Sequence, residues 1–421
     1  MMTREAVATT GATSGEAERP DLLDLVFLAS ALIAPLELYL LHSLTLYDVL
    51  IGGLAFLIWA GPRRMRPLPK AYLPAVVIFL VAALVSSFRA TLPGESLTQL
   101  AQFGFVFFVQ IPVILTLARS PLLIRWSLIL FAIGSFAVVV VSVVTSGGTE
   151  ADRVLTYYSE NPNPLGYASA YVLPFAICFL VELWRRGRHT ASVVGAALLT
   201  YLVVYSLAIS ASRGAAIALL VALPVFLALR KSDRVDLALL ARLFVVVCVV
   251  GAASYAFFQT PYFPPLLKGR IQGTIAEEGS LTDDRERLAA AGIRAFESSP
   301  FVGTGLDNFR YVSTRYERAA TPQAPHNIWI QFLAQIGLIG TAAFAFIILR
   351  WFFDVVRAWR RSAARSSRHQ LLAAFIASMA AIMTIFLTTP IMVHRHYWLL
   401  FGLGLALAMA PAEPASEEVR A

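Results

Sequence analysis

Long apolar runs, repeated along almost the whole chain, constrain its fold more than any other feature. They lie near 22–41, 45–61, 71–88, 97–118, 124–145, 163–183, 190–210, 213–230, 238–258, 326–350, 370–390 and 396–411. A helix needs roughly 20 apolar residues to cross a bilayer, with about 17 as the lower limit. Hydrophobic residues make up 58% of the 421, against about 45–50% in a soluble domain, so the excess must face something other than water. The pattern predicts an all-α, polytopic integral membrane protein of about 12 transmembrane helices, with 11 or 13 left open by the tight first pair and the short last run.

The basic residues set an orientation. With the N-terminus inside, the inner loops hold Arg63, Arg64, Arg66, Lys70, Arg119, Arg125, Arg185, Arg186, Arg188, Arg230, Lys231, Arg234, Arg242, Arg357, Arg360, Arg361, Arg365 and Arg368. The short outer loops hold Arg89, Arg153, Arg213 and Arg395. That asymmetry follows the positive-inside rule and puts both termini in the cytoplasm. The formal charge of +8 is thus spread between spans, with no basic stripe for nucleic acid. Cys178 and Cys248 both sit in apolar runs, so neither a disulfide framework nor a zinc site is expected. Residues 1–20 are small and polar and read as a disordered cytoplasmic tail, as do 412–421.

One connection departs from the pattern. Spans 1–9 occupy 21–258 and spans 10–12 occupy 326–411, leaving 259–325 as one large extracytoplasmic loop. Within it, Asp283 to Phe296 predicts an amphipathic helix. Asp283 can cap it, with Glu286 completing a capping box, and Leu288, Ala291, Gly292 and Ala295 share a face. Pro300, Gly303 and Gly305 then turn the chain. A long loop with structure of its own tends to be functional.

Three polar residues stand at the outer boundary: Arg213 between two nearly abutting spans, Arg285 early in the loop helix, and His326 where the loop re-enters the membrane. Each has a plainer reading. Arg213 can snorkel to headgroups, Arg285 can be a solvated helix residue, and His326-Asn327 can be a helix start. Among acidic residues, Glu277, Glu278, Asp283, Asp284 and Asp307 show no Asp-x-Asp pair. Asp283-Asp284 reads as charge at a helix N-terminus. No metal is expected at the site.

Taken together, the stretch from Arg285 to Gly340 resembles the O-antigen ligase and O-antigen polymerase family. The elements that carry the resemblance are Arg285, Pro300, Gly303-Thr304-Gly305 with Asn308-Phe309, His326-Asn327, and Gln335-Ile336-Gly337-Leu338-Ile339-Gly340. Upstream, Ser212-Arg213-Gly214 and Asn161-Pro162-Asn163 look like further family elements. Ala289 and Gln335 depart from the family's usual aromatic and acidic residues. The resemblance implies a GT-C-like membrane glycosyltransferase facing the periplasm, in the inner membrane, with no cofactor. Its donor would be an undecaprenyl-diphosphate-linked glycan, and its acceptor a hydroxyl on lipid A core, a growing glycan or a protein.

In that reading Arg213 and Arg285 bind the diphosphate through guanidinium forks. His326, with an ordinary pKa of about 6.5, serves as general base, in a metal-independent, inverting displacement. Arg89, Asn327 and Arg395 are secondary candidates for substrate contact. His394, Arg395 and His396 read more simply as headgroup neighbours, and Trp329 and Tyr397 as interface aromatics. The different-class alternative is a transporter, whose polar residues would sit at mid-membrane in two repeated halves; the halves here do not repeat.

Overall fold

The computed structural model describes residues 20–41, 43–145, 156–157, 163–210, 212–230, 259–260, 284–318, 322–389 and 394–411. The expected span at 238–258, the cap Asp283 and the acids Glu277 and Glu278 lie outside them.

The described chain is almost entirely helical. Its apolar helices are α1 (Leu22–Ile33), α2 (Leu46–Ala60), α3 (Leu73–Ser87), α4 (Pro93–Leu117), α5 (Pro121–Thr145), α6 (Asn163–Arg185), α7 (His189–Ser210) and α8 (Arg213–Leu229). Next come α9 (284–298) and α10 (Phe309–Tyr316) from the loop, then α11 (Ile328–Arg361), α12 (Ser367–Phe386) and α13 (Arg395–Met409). Among the described residues six helices, α4–α7, α11 and α12, are long and apolar enough to cross a membrane. The apolar helices from Leu22, Leu46, Leu73 and Arg213 are shorter. Side chains such as Trp59, Val81, Val194, Leu198 and Tyr201 face outward, as expected where the surroundings are lipid.

The run at 22–41 is not one helix. Pro35 closes it in a short 3₁₀ turn, Ala34–Leu36, and Glu37 follows in the left-handed region at φ 46°. Tyr39–Leu41 and Leu44–Thr45 then pair as a small antiparallel hairpin. Proline lacks the N–H that a continuing helix requires, so the break is local in origin.

Helix α3 packs along α11, and α6, α8 and α12 pack against one another. An aromatic cluster of Phe79, Phe103, Phe107, Phe332, Phe344 and Trp398 ties α3, α4, α11 and α13 together, with ring centroids 4.7–6.4 Å apart. Basic residues that the charge pattern assigns to one side share partners. Arg63 and Arg119 both meet buried Asp24, at 3.5 and 3.1 Å, and Arg125 pairs with Glu182 and reaches Ser367.

Helix α11 is broken at Gly337, whose φ of 68° is non-helical. The break frees the carbonyls of Ala334 and Gln335, and the loop's glycine turn supplies their donors. Thr304 N–H donates to Ala334 O at 2.9 Å and Gly305 N–H to Gln335 O at 3.0 Å. In return, Leu338 N–H donates to Pro300 O at 2.7 Å. Gln335 Oε1 accepts from Asp307 N–H at 3.1 Å, so its amide oxygen supplies the acceptor that a carboxylate would. Gly303 (φ 77°) and Gly337 leave no room for a side chain: a Cβ would lie 2.3 Å from Gln335 and 2.4 Å from Phe301 respectively.

The turn anchors α9, whose Leu288, Ala291 and Ala295 are buried with Phe309 and Ala334. That is the face the spacing predicts. Gly303→Ala or Gly337→Ala adds backbone strain of about 1–3 kcal/mol together with a clash. Thermal unfolding in detergent should show a clear loss for each, whereas Gly53→Ala, at an open helical position, should lose nothing.

Candidate active site

Two of the three candidate catalytic residues, Arg213 and His326, stand at helix starts, and Arg285 is among the first described residues of a third helix. Arg213 is the first residue of α8, capped by Ser212, whose Oγ accepts from Ala215 N–H at 3.3 Å. Arg285 lies in the first described turn of α9, and His326 lies two residues before α11. A cation opposes the dipole at a helix N-terminus, so helix stability does not account for arginines there. A helix N-terminus and a guanidinium together favour an anion.

Packing brings Arg285 and His326 into one neighbourhood. Arg285 and Gly292 are two turns apart on one face of α9. Gly292 fits against Ile330 and Pro325, with its Cβ position 2.5 Å from Ile330 and 3.5 Å from Pro325. The Arg285 charge acts on His326. Burial first, and Arg285 second, push the His326 imidazole down to about 4 from its ordinary 6.5. At neutral pH the ring is therefore uncharged, the form that can accept a proton.

The Arg213 element adjoins the same place through its neighbours. Tyr167, near the start of α6, is buried where Ser212, Thr388, Thr389 and the Arg285 charge all act on its phenol. Gly214 backs onto Thr388, with its Cβ position 2.6 Å from that hydroxyl. Sequence reasoning passed over Tyr167, Thr388 and Thr389, because hydroxyls at the ends of apolar runs give no pattern of their own.

The secondary candidates are engaged within the protein. Arg89 donates to Ser299 Oγ at 2.7 Å, beside the turn that ends α9. Asn327 caps α11, its side-chain oxygen accepting from Trp329 N–H at 2.9 Å and Ile330 N–H at 3.2 Å. Arg395 is buried and forks onto Asp48, with contacts of 2.8 and 3.1 Å. It also donates to Ser43 O at 3.1 Å. It ties α13 to α2 and to the hairpin before it.

Of the loop acids, Asp307 pairs with Arg310 at 3.2 Å and Asp284 approaches Arg287 at 3.9 Å. The described residues do hold one group with metal-ligand chemistry: Glu37, His394 and His396, whose donor atoms all lie within 4.8 Å of one another. The cysteines and loop acids, on which the expectation of no metal rests, are not part of this group. Glu37 lay hidden in an apolar run 357 positions from His394, where no spacing rule reaches it.

The fold and this site define a helical membrane protein with a polar centre built where a long loop meets the membrane. Residues 196–345 match the family model described as O-antigen ligase. That match contains Arg213, Arg285 and His326 and supports the assignment to the O-antigen ligase and polymerase family. Arg89, Arg395 and Glu37 lie outside the matched stretch. No curated protein matches the chain.

Two substitutions separate fold from substrate contact. Asn327→Ala should cost about 1 kcal/mol as a lost cap. Arg395→Ala should cost about 3–5 kcal/mol, because Asp48 is left buried without its partner. Both are read by thermal unfolding. Unchanged unfolding with a raised KM for a lipid-linked donor would instead make either residue a substrate contact.

Proposed function

We propose that this protein transfers a glycan from an undecaprenyl-diphosphate carrier to an acceptor hydroxyl at the outer face of the bacterial inner membrane. In this reading the chain spans the membrane twelve times with both termini in the cytoplasm. The observation that carries the proposal is the desolvated, uncharged His326 beside Arg285 at the docked loop.

Arg213 and Arg285 bind the diphosphate, a charge-assisted contact that gains strength as the bridging oxygen takes up charge. The acceptor oxygen attacks the anomeric carbon from the opposite side. The bond to the diphosphate breaks, and undecaprenyl diphosphate leaves with the electron pair. His326 takes the acceptor's proton, and the anomeric configuration inverts. A bound diphosphate also offsets the Arg285 charge, so His326 becomes a better base when the donor is in place. No step requires a metal.

The acceptor is lipid A core in a ligase, a growing chain in a polymerase, or a protein in an O-oligosaccharyltransferase. The family match is compatible with ligase and polymerase alike, and the Ser212-Arg213-Gly214 element and the loop length favour the ligase reading.

The test is transfer by purified protein from a lipid-diphosphate glycan to each acceptor in turn. His326→Ala should lower kcat by about 10²–10⁴-fold. Arg213→Lys and Arg285→Lys should each lose most activity, because lysine keeps the charge and loses the fork. Wild-type rates in a folded His326→Ala would remove it as the base. Passage of lipid-linked glycan across liposomes without transfer to any acceptor would establish the transporter instead.

A further inference from the structure

We propose that Glu37, His394 and His396 form a binding site for a divalent transition-metal ion of the zinc type, apart from the glycan-transfer site. The inference uses different residues and stands whether or not the glycan-transfer reading holds.

Two imidazoles and one carboxylate suit zinc and its neighbours, leaving a coordination position for water. Glu37 Oε1 faces both histidines through their Nδ1 atoms: His394 in direct contact and His396 at 3.2 Å. Bonds of about 2.0–2.2 Å in a tetrahedral zinc site separate neighbouring ligands by about 3.3 Å, so the Glu37–His396 spacing already fits a shared ion.

An ion pair between Glu37 and His394 does not account for the whole group. His396 is 4% exposed, and its Nδ1 faces the same carboxylate oxygen at 3.2 Å without meeting hydrogen-bond geometry. A misaligned contact is a weak one, and a cation between the ring nitrogen and Glu37 would serve both. Glu37 is itself 4% exposed, and with two neutral imidazoles it leaves one negative charge, which a dication offsets.

The ligands are held in place. Tyr39 Oη donates to Glu37 Oε2 at 3.1 Å, leaving Oε1 for the ion. Arg395, between the two histidines in sequence, is fixed by Asp48 and Ser43 O. The His396 ring packs against Tyr171 and Tyr397, at 5.8 and 4.2 Å between centroids. His394 is partly exposed, which gives the ion a path in. The ion would clasp the 3₁₀ turn after α1 to the start of α13. Tyr171 is one helical turn from Tyr167, so the clasp abuts the helix face that backs the Arg285 neighbourhood.

The experiment uses full-length protein in detergent, purified without a histidine tag, stripped with chelator and titrated with Zn²⁺ or Co²⁺ alone. Wild type should retain one equivalent through desalting, raise its unfolding temperature on zinc addition, and give visible cobalt absorption of low-symmetry, four- or five-coordinate type. His394→Gln and His396→Gln, checked by size exclusion, should lose the retained equivalent. Tyr39→Phe, at a half-exposed residue, should weaken binding by about 10–100-fold through the ligand it orients. Wild type that holds no ion through desalting overturns the site. So does retention of the same equivalent in both histidine variants.

Discussion

The structure depends on one exchange of backbone hydrogen bonds, between the break at Gly337 and the turn at Gly303-Thr304-Gly305. A break inside an apolar helix leaves carbonyls and an N–H unpaired, at a cost of several kcal/mol per group in hydrocarbon. A turn whose N–H groups point into a helical bundle has the same difficulty in reverse. Each supplies what the other lacks: two turn N–H groups to the carbonyls of α11, and one helix N–H to Pro300. Because both glycines have positive φ and no space for a Cβ, neither side of the joint tolerates another residue. The joint fixes the end of α9, and α9 carries Arg285 back to His326.

That placement gives the site its electrostatics. A partly buried imidazole in the field of the Arg285 guanidinium is held neutral. The same guanidinium is a standing attraction for an anion. In the proposed reaction a lipid diphosphate would pair with Arg285 and relieve the pressure on His326 at once, coupling donor binding to base strength through a single charge. The Ser212-Arg213-Gly214 element meets this neighbourhood through Tyr167 and Thr388, which brings the start of α8 to the side of the site built by α6 and α12.

Much of this was legible in the sequence, for physical reasons. Apolar runs of fixed minimum length become helices in almost any membrane protein, and Leu288, Ala291 and Ala295 at helical spacing marked the buried face of α9. The glycine turn was legible too, but not what it docks into. Gly337 inside an apolar run looks the same whether it serves helix packing or breaks the helix. Pro35 signalled the early end of α1, yet the hydrophobicity around it masked the signal. Asn327 and Arg395 show where reasoning by residue type fails. A polar residue at a boundary serves equally as a cap, a buried ion pair or a ligand contact, and only its partners decide. Those of Arg395 and of the Glu37 group lie 347 and 357 positions away, beyond any local pattern.

The docked loop sets Arg285 against His326, and burial and that charge together govern the ionisation of the histidine. The direct measurement is the pH dependence of site-resolved acylation of His326, followed by mass spectrometry in wild type and in Arg285→Gln. Because it reads imidazole ionisation, it works even where transfer activity is lost. The wild-type midpoint should fall near 4, and that of Arg285→Gln should be higher, with burial alone then holding it down. A wild-type midpoint at the ordinary value of about 6.5, unmoved by the substitution, would contradict that expectation.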